Sequence, residues 1–281
     1  MSIGVAVRCV GVVQIYRAAG LDGGDVVALR GVDLDVDPGE FVSLLGPSGS
    51  GKSTLLGLLA GVLRPSAGRV LIGEHDIGRI SPRALGRLRG RLVATVLQDP
   101  ARNLLPYATV RQNVQFGAHG DTSVDDLIEK LALSDLAGRV AGRLSAGEQQ
   151  RVAIATAIAS GARLLLADEP TSQLDGPGRD EVVGLLERIN RDFGATVVLV
   201  THDPQVAAHS TRTVTIRDGR VGAEGRHGRE YAVVGGDGAV PLPPDVLDVF
   251  PPGTLLEVRH QDDTITMTTR RSDPTLSADG K

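Results

Sequence analysis

Gly46-Pro47-Ser48-Gly49-Ser50-Gly51-Lys52-Ser53-Thr54 follows directly on the apolar run Phe41-Val42-Ser43-Leu44-Leu45. The spacing from Gly46 to Ser53 is Gly-x-x-x-x-Gly-Lys-Ser. Glycines allow tight left-handed turns, so successive N–H groups can line one concave nest. Ser53-Thr54-Leu55-Leu56 opens a helix whose N-terminus adds partial positive charge. Lys52 supplies a full cation for the outer phosphates, and the Ser53 hydroxyl a magnesium ligand. A Gly/Ser turn capped by a lysine is the bland alternative, but the strand-loop-helix context favours a nucleotide phosphate site built from all nine residues.

Outward from the loop the pattern is α/β. Val32, Leu34 and Val36 alternate with Asp33, Asp35 and Asp37, which predicts a half-buried antiparallel strand over 26–36, next to another over 3–15. Helical spacing of Leu55, Leu58, Leu59, Val62 and Leu63 predicts a helix ended by Pro65. LVATVL (92–97), RLLLA (163–167) and VVLVT (197–201) are short, nearly continuous apolar runs, as in parallel strands covered on both faces. Residues 108 to about 160 have helical character. The expected architecture is a parallel core sheet, an antiparallel β layer and a helical subdomain over about 99–160, within a domain spanning 1–225.

Bulk composition narrows the class. The chain has 281 residues, 41% of them apolar, seven aromatics and no tryptophan, so its core is aliphatic. A net charge of −4 gives no bulk attraction to nucleic acid or acidic lipid. Cys9 has no partner for an intrachain disulfide, which fits a reducing compartment. The longest apolar stretch, Leu55 to Leu63, is too short for a membrane span, and Arg8 inside the N-terminal apolar stretch speaks against a signal peptide.

A second anchor is LLLADEP (164–170). An apolar strand ending in Asp168 brings a carboxylate beside the loop, where it can hold magnesium through water, and Glu169 can orient and deprotonate an attacking water. The third is LSAGEQQRVAIA (144–155). Together the three resemble the ATP-binding cassette (ABC) ATPases. The resemblance covers about residues 3–225 and implies a P-loop NTPase fold of that kind. It also implies roles at further positions. Tyr16 matches the aromatic that stacks on adenine, and Gln98 the Q-loop glutamine at nucleotide and magnesium. Leu144, Ser145, Ala146, Gly147 and Glu148 match the signature, which binds the ATP of an opposite subunit. Ser172, Gln173, Leu174 and Asp175 match the D-loop. His202 matches the switch histidine, catalytic with Glu169 and Lys52. Ala146 and Glu148 depart from the usual Leu-Ser-Gly-Gly-Gln.

The resemblance implies hydrolysis of ATP with Mg2+ by a head-to-tail dimer, of two identical or two similar cassettes. It further implies a membrane permease as partner and a peripheral place on the cytoplasmic face of the plasma membrane. Nucleic acid is not expected as a partner. EFVSLLGPSGSGKSTLLGLLAGVLRPSAG and NLLPYATVRQNV look like lipoprotein-release and macrolide-export cassettes; amino-acid-importer cassettes share much of this wording. A soluble cassette ATPase acting on nucleic acid or another protein is the contrasting alternative. With neither a second cassette nor a coiled-coil insertion, the chain departs from the translation-factor and chromosome-maintenance branches. Asp99 to Val114 would line the permease groove, with Leu104, Leu105 and Tyr107 as apolar contacts or as core.

Near residue 226 the composition shifts. Residues 229–269 read as strand, Gly-Asp-Gly turn, strand, short Pro-bounded helix, strand, Gln-Asp-Asp turn, strand, and 270–281 as a disordered tail. This small β-rich appendage, 226–269, weakly resembles swapped-hairpin domains that interlock as dimers. Its arginines are diluted by aspartates, which speaks against DNA binding.

Overall fold

A computed structural model describes residues 4–17, 24–119, 122–226, 229–235, 238–242 and 244–269. The chain forms two compact units, one up to Val240 and one from Pro241 onward. Along the first come β1 (Val7–Tyr16), β2 (Val26–Val36), β3 (Phe41–Leu45), α1 (Lys52–Leu59), β4 (Ala67–Ile72), β5 (His75–Asp76), α2 (Pro82–Arg91) and β6 (Val93–Val96). They are followed by α3 (Val110–Gly117), α4 (Val124–Lys130), α5 (Ala146–Ile158), β7 (Leu164–Asp168), α6 (Gly176–Phe193) and β8 (Thr196–Val200). The short α7 (Pro204–Ala207), β9 (Arg212–Arg217), β10 (Arg220–Arg226) and β11 (Arg229–Ala232) complete the unit.

Two sheets carry it. The core sheet has the order β11-β10-β9-β3-β8-β7-β6, in which β9, β3, β8, β7 and β6 run parallel. The β7 and β8 side chains from Leu164 to Ala167 and from Thr196 to Val200 are fully buried. Each large aliphatic side chain removed from water there contributes about 1.5–3 kcal/mol. The second sheet, β2-β1-β4-β5, is antiparallel. On β2 the alternation works as the sequence predicts, with Val32, Leu34 and Val36 buried and Asp33 and Asp35 exposed.

Differences from the sequence expectation have local causes. The helix after the loop stops at Leu59, short of Pro65, because Gly61 turns the chain at φ 63. The Val62 N–H then closes onto the Gly57 carbonyl at 2.9 Å, which satisfies an otherwise orphaned helix-end acceptor. The helical stretch is three helices and two 3-10 turns, Ser134–Leu136 and Ala141–Arg143. Thr109 and Gln112 start α3 with a reciprocal capping box.

The domain boundary also moves. β11, expected to begin the appendage, pairs with β10 from Ala223↔Ala232 to Arg226↔Arg229 and forms the edge of the core sheet. The second unit holds α8 (Pro244–Val249) and a hairpin of β12 (Leu256–Gln261) and β13 (Thr264–Thr269). The strand-strand-helix-strand-strand order is not met among the described residues, because no strand lies between β11 and α8 and β11 pairs with β10. The Gln-Asp-Asp turn is present, with Asp262 at φ 48. Part of the Gly-Asp-Gly turn and the tail 270–281 lie outside the described residues.

Candidate nucleotide site

The loop Gly46–Gly51 joins buried β3 to the N-terminus of α1. Two of its glycines are required by space as well as by torsion. Gly46 has φ 145, and a Cβ there would lie 2.1 Å from the Ile216 carbonyl oxygen. Gly51 has φ 102, and a Cβ would lie 2.6 Å from the Ala28 carbonyl oxygen. Lys52 is only 6% exposed. Its Nζ donates to the Gly46 and Pro47 carbonyls at 2.7 and 2.9 Å, so the cation is held against the loop it follows.

β7 delivers the two acids. The Ser53 hydroxyl donates to Asp168 Oδ1 at 3.3 Å, joining the start of α1 to the end of β7. Burial pushes the Asp168 carboxyl up from its ordinary range, and the Ser53 hydrogen bond pulls against it; Glu169 adds to the rise and Lys52 opposes it. Glu169 stands at φ 45, a left-handed conformation costing about 1 kcal/mol for a residue with a Cβ. It is held there by its N–H to the Val200 carbonyl at 2.9 Å. Its Oε2 lies 3.2 Å from His202 Nδ1. Thr171, Ser172, Leu174, Arg179, Thr201 and Asp203 line the same cleft of about 170 Å³.

Gln98, just past the end of β6, donates from Nε2 to the Ser172 hydroxyl at 3.1 Å. Tyr16, at the end of β1, brings its phenol oxygen to 3.3 Å from Thr54 Oγ1. The structure thus joins Tyr16, the loop, Gln98, Asp168, Glu169, Ser172 and His202 through direct contacts or adjoining elements.

The stretch Leu144–Glu148 is set apart. Ser145 caps α5, its hydroxyl accepting from the Glu148 N–H while Glu148 Oε2 accepts the Ser145 N–H at 2.7 Å. Arg139 donates to the other Glu148 oxygen at 2.8 Å. The backbone hydrogen bond from Ser145 holds the Glu148 carboxyl below its usual range, and Arg139 adds to this. The departure from glutamine is thereby explained, since either Glu or Gln closes a capping box, and Arg139 suits Glu. Ala146 takes the first helical position and is exposed, so its methyl meets no crowding within the chain. Ser145 to Glu148 share a cleft of about 460 Å³ with Gln173, Leu174, Asp175 and the start of α6. None of Gly46 to Thr54 lines it.

This arrangement matches known proteins. The ABC transporter family pattern matches residues 29–172, about half of the chain. The lipoprotein-releasing system ATP-binding protein LolD of Anaeromyxobacter dehalogenans is 45% identical over 213 residues, covering 73% of this chain and 88% of that protein. The chain belongs to the ABC transporter family. The macrolide export ATP-binding/permease protein MacB 1/2 of Paracoccus denitrificans is 43% identical over 212 residues, but the cassette spans only 31% of that longer protein. Among solved structures, a dimeric ATP-binding cassette in a post-hydrolysis state with ADP and Pi superposes with a TM-score of 0.69 at 33% identity. It covers 80% of this chain and all of its own. The cassette is accordingly an ATP-hydrolysing transporter subunit, and its family uses Mg2+ with ATP.

The donor set fits that ion. Among the described residues no three His, Cys, Asp or Glu side chains form a cage. One hydroxyl and one carboxylate, Ser53 and Asp168, suit a hard cation that keeps waters and shares phosphate oxygens.

Sequence reasoning missed Arg139, Arg179 and Asp203 around these clefts. Arg139 is separated from the signature only by Val140 and the 3-10 turn Ala141–Arg143, but no sequence pattern marks it. Asp203-Pro204 carries a signal, an N-cap followed by proline, and its carboxylate caps α7 and lies 3.6 Å from Arg179. In the expected permease groove, Leu104 is core at 8% exposure, Leu105 is half-buried and Tyr107 is 78% exposed.

Proposed function

We propose that this cassette pairs head to tail, so that the loop of one copy and the signature of the other enclose each ATP. The observation that carries this is the separation of the two clefts: Ser145 to Glu148 face a space with no phosphate-loop residue in it. Charge on a transferring phosphoryl group needs donors on all sides. Within one copy Gly46 to Lys52 supply one side, and Ser145 and Gly147 of a second copy, identical or similar, supply the other.

The contacts support the roles that the resemblance implies. Lys52 and the loop residues Gly46 to Thr54 bind the phosphates, and Tyr16 stacks on adenine. Ser53, Asp168 and Gln98 would hold Mg2+, which would neutralise charge on the phosphates. Glu169 takes a proton from the attacking water, and His202, 3.2 Å from it, keeps its carboxylate aimed. Ser172, Gln173, Leu174 and Asp175 carry the state of one site toward the signature cleft that Gln173 to Asp175 also line.

Closure on ATP and reopening on hydrolysis then drive a permease of the lipoprotein-release or macrolide-export kind, which the likeness to LolD and MacB supports. Attachment at the cytoplasmic face runs through that permease, a reading the likeness to LolD and MacB supports; no helix of the described residues is long and apolar enough to cross a membrane. Exposed Tyr107, just before α3, and exposed Phe116, in its last turn, form the apolar contact offered to the permease. The C-terminal hairpin adds contact between the two copies, because Val258 and Ile265 share one face of it and stand 61% and 62% exposed.

Glu169→Gln tests this reading. It keeps the side chain's size and loses the base, so turnover falls about 10²–10⁴-fold. With ATP and Mg2+ the variant elutes as a dimer in gel filtration. Wild-type turnover, or a monomer under saturating ATP, would sink the reading.

A further inference from the structure

We infer that Ser172 is a positioning residue that ties the metal-side amide of Gln98 to the backbone of Glu169; the inference rests on the roles proposed above for those two residues. One hydroxyl joins them. Ser172 Oγ accepts from Gln98 Nε2 at 3.1 Å and donates to the Glu169 carbonyl at 3.0 Å. The Ser172 N–H reaches the same carbonyl at 3.2 Å and closes a turn over Pro170 and Thr171.

Each half of the junction has a chemical consequence. An amide has one donor end and one acceptor end. With Nε2 committed to Ser172, Oε1 is the end left for a cation. Gln98 is exposed and lies just past the end of β6, so no surrounding core fixes its rotamer. Ser172 supplies the anchor that packing does not.

The other half acts on the base. Glu169 sits at φ 45, where a residue with a Cβ does not rest unaided. Its N–H is fixed by Val200 and its carbonyl by two donors of Ser172, so the peptide units on both sides of the strained torsion are pinned. That pinning holds the carboxylate at His202. A hydroxyl both gives and receives a hydrogen bond, so among small side chains only Ser and Thr can fill both roles at this site. A displacement of Gln98, just past the end of β6, is thereby felt at the base through two hydrogen bonds.

The test compares Ser172→Ala, Ser172→Thr and Gln98→Ala in the full chain. Ser172→Ala lowers kcat about tenfold with KM for ATP within about twofold, as loss of an outer-shell partner does. It also weakens Mn2+ binding in the ATP complex, read by electron paramagnetic resonance, by about threefold or more. Ser172→Thr restores both. Adding Ser172→Ala to Gln98→Ala produces no further loss of Mn2+ affinity, since the two act through one contact. Ser172 is exposed, so the variants melt like the wild type. Wild-type kcat and Mn2+ affinity in Ser172→Ala, while Glu169→Gln remains inactive, would overturn this inference and leave the catalytic reading standing. Additive losses in the double variant would overturn it as well. Normal turnover in Glu169→Gln would remove the reading beneath it.

Discussion

Two strand pairs of this chain, one parallel and one a hairpin, use apolar residues in opposite ways. In β7 and β8 the apolar run is continuous and wholly enclosed by helices and neighbouring strands. In β12 and β13 it alternates, with Val258 opposite Met267 and His260 opposite Ile265 on one face, and nearly every side chain is exposed. A buried strand can fix the functional group at its end, as β7 fixes Asp168 and, just after it, Glu169. A two-stranded hairpin cannot, because alone in water it is marginal. The candidate chemistry therefore belongs to the first region, and contact is the role proposed for the second.

The largest expected effect is at the loop that β3 presents. Lys52→Ala removes the full cation held at Gly46 and Pro47, and turnover falls by about 10²-fold or more with ATP binding lost in parallel. Fluorescent-nucleotide titration and phosphate release measure the two. Retained binding would mean that the loop backbone alone carries the phosphates. Next is the core beneath it. Leu166→Ala, at a fully buried position of β7, costs about 3 kcal/mol in urea unfolding. Val258→Ala on the hairpin stays within about 0.5 kcal/mol. Equal costs would erase the contrast between the regions.

The same contrast decides what could be read in the sequence. Gly46 to Ser53, Asp168-Glu169 and Leu144 to Glu148 were legible because phosphate binding and carboxylate placement demand particular residues at fixed local spacings. Continuous and alternating apolar runs gave β3, β7, β8 and β2 because each pattern has one burial solution. The place of β11 was not legible, since a four-residue strand reads alike whether it pairs with β10 or starts an appendage. Nor was the division of Leu104 from Tyr107, neighbours whose burial depends on how α3 and α5 pack. Arg139 and Ser172 act through contacts that tertiary structure alone creates.

A smaller effect separates charge from shape at the signature. The Glu148 carboxyl lies below its ordinary range, held by the Ser145 N–H and then by Arg139. A lowered carboxyl stabilises the fold above the ordinary glutamate range and loses that contribution as pH falls through the lowered value. The cap contributes up to about 1 kcal/mol. Glu148→Gln keeps the box and loses the charge, so between about pH 6 and pH 3 its melting temperature falls less than that of the wild type. Parallel curves would show that the charge contributes nothing.

The smallest effect belongs to the second unit. Truncation after Val240 keeps β11, whose hydrogen bonds to β10 complete the core sheet, and removes α8, β12 and β13. The nucleotide site draws every one of its residues from Tyr16 to Asp203, so the truncated cassette binds ATP with unchanged affinity. What changes is assembly. Stable protein pairs bury about 800 Å² on each partner, and one face of a six-residue hairpin falls well short of that, so it supplements a cassette dimer without making one. In the Glu169→Gln background, in which the proposed dimer is expected to stay closed, truncation raises the half-dimerisation concentration about threefold, some 0.7 kcal/mol. Sedimentation at graded concentrations reads this directly. An unchanged midpoint removes the hairpin from assembly, whereas complete loss of the dimer would make it the principal contact and reverse the comparison between the two regions.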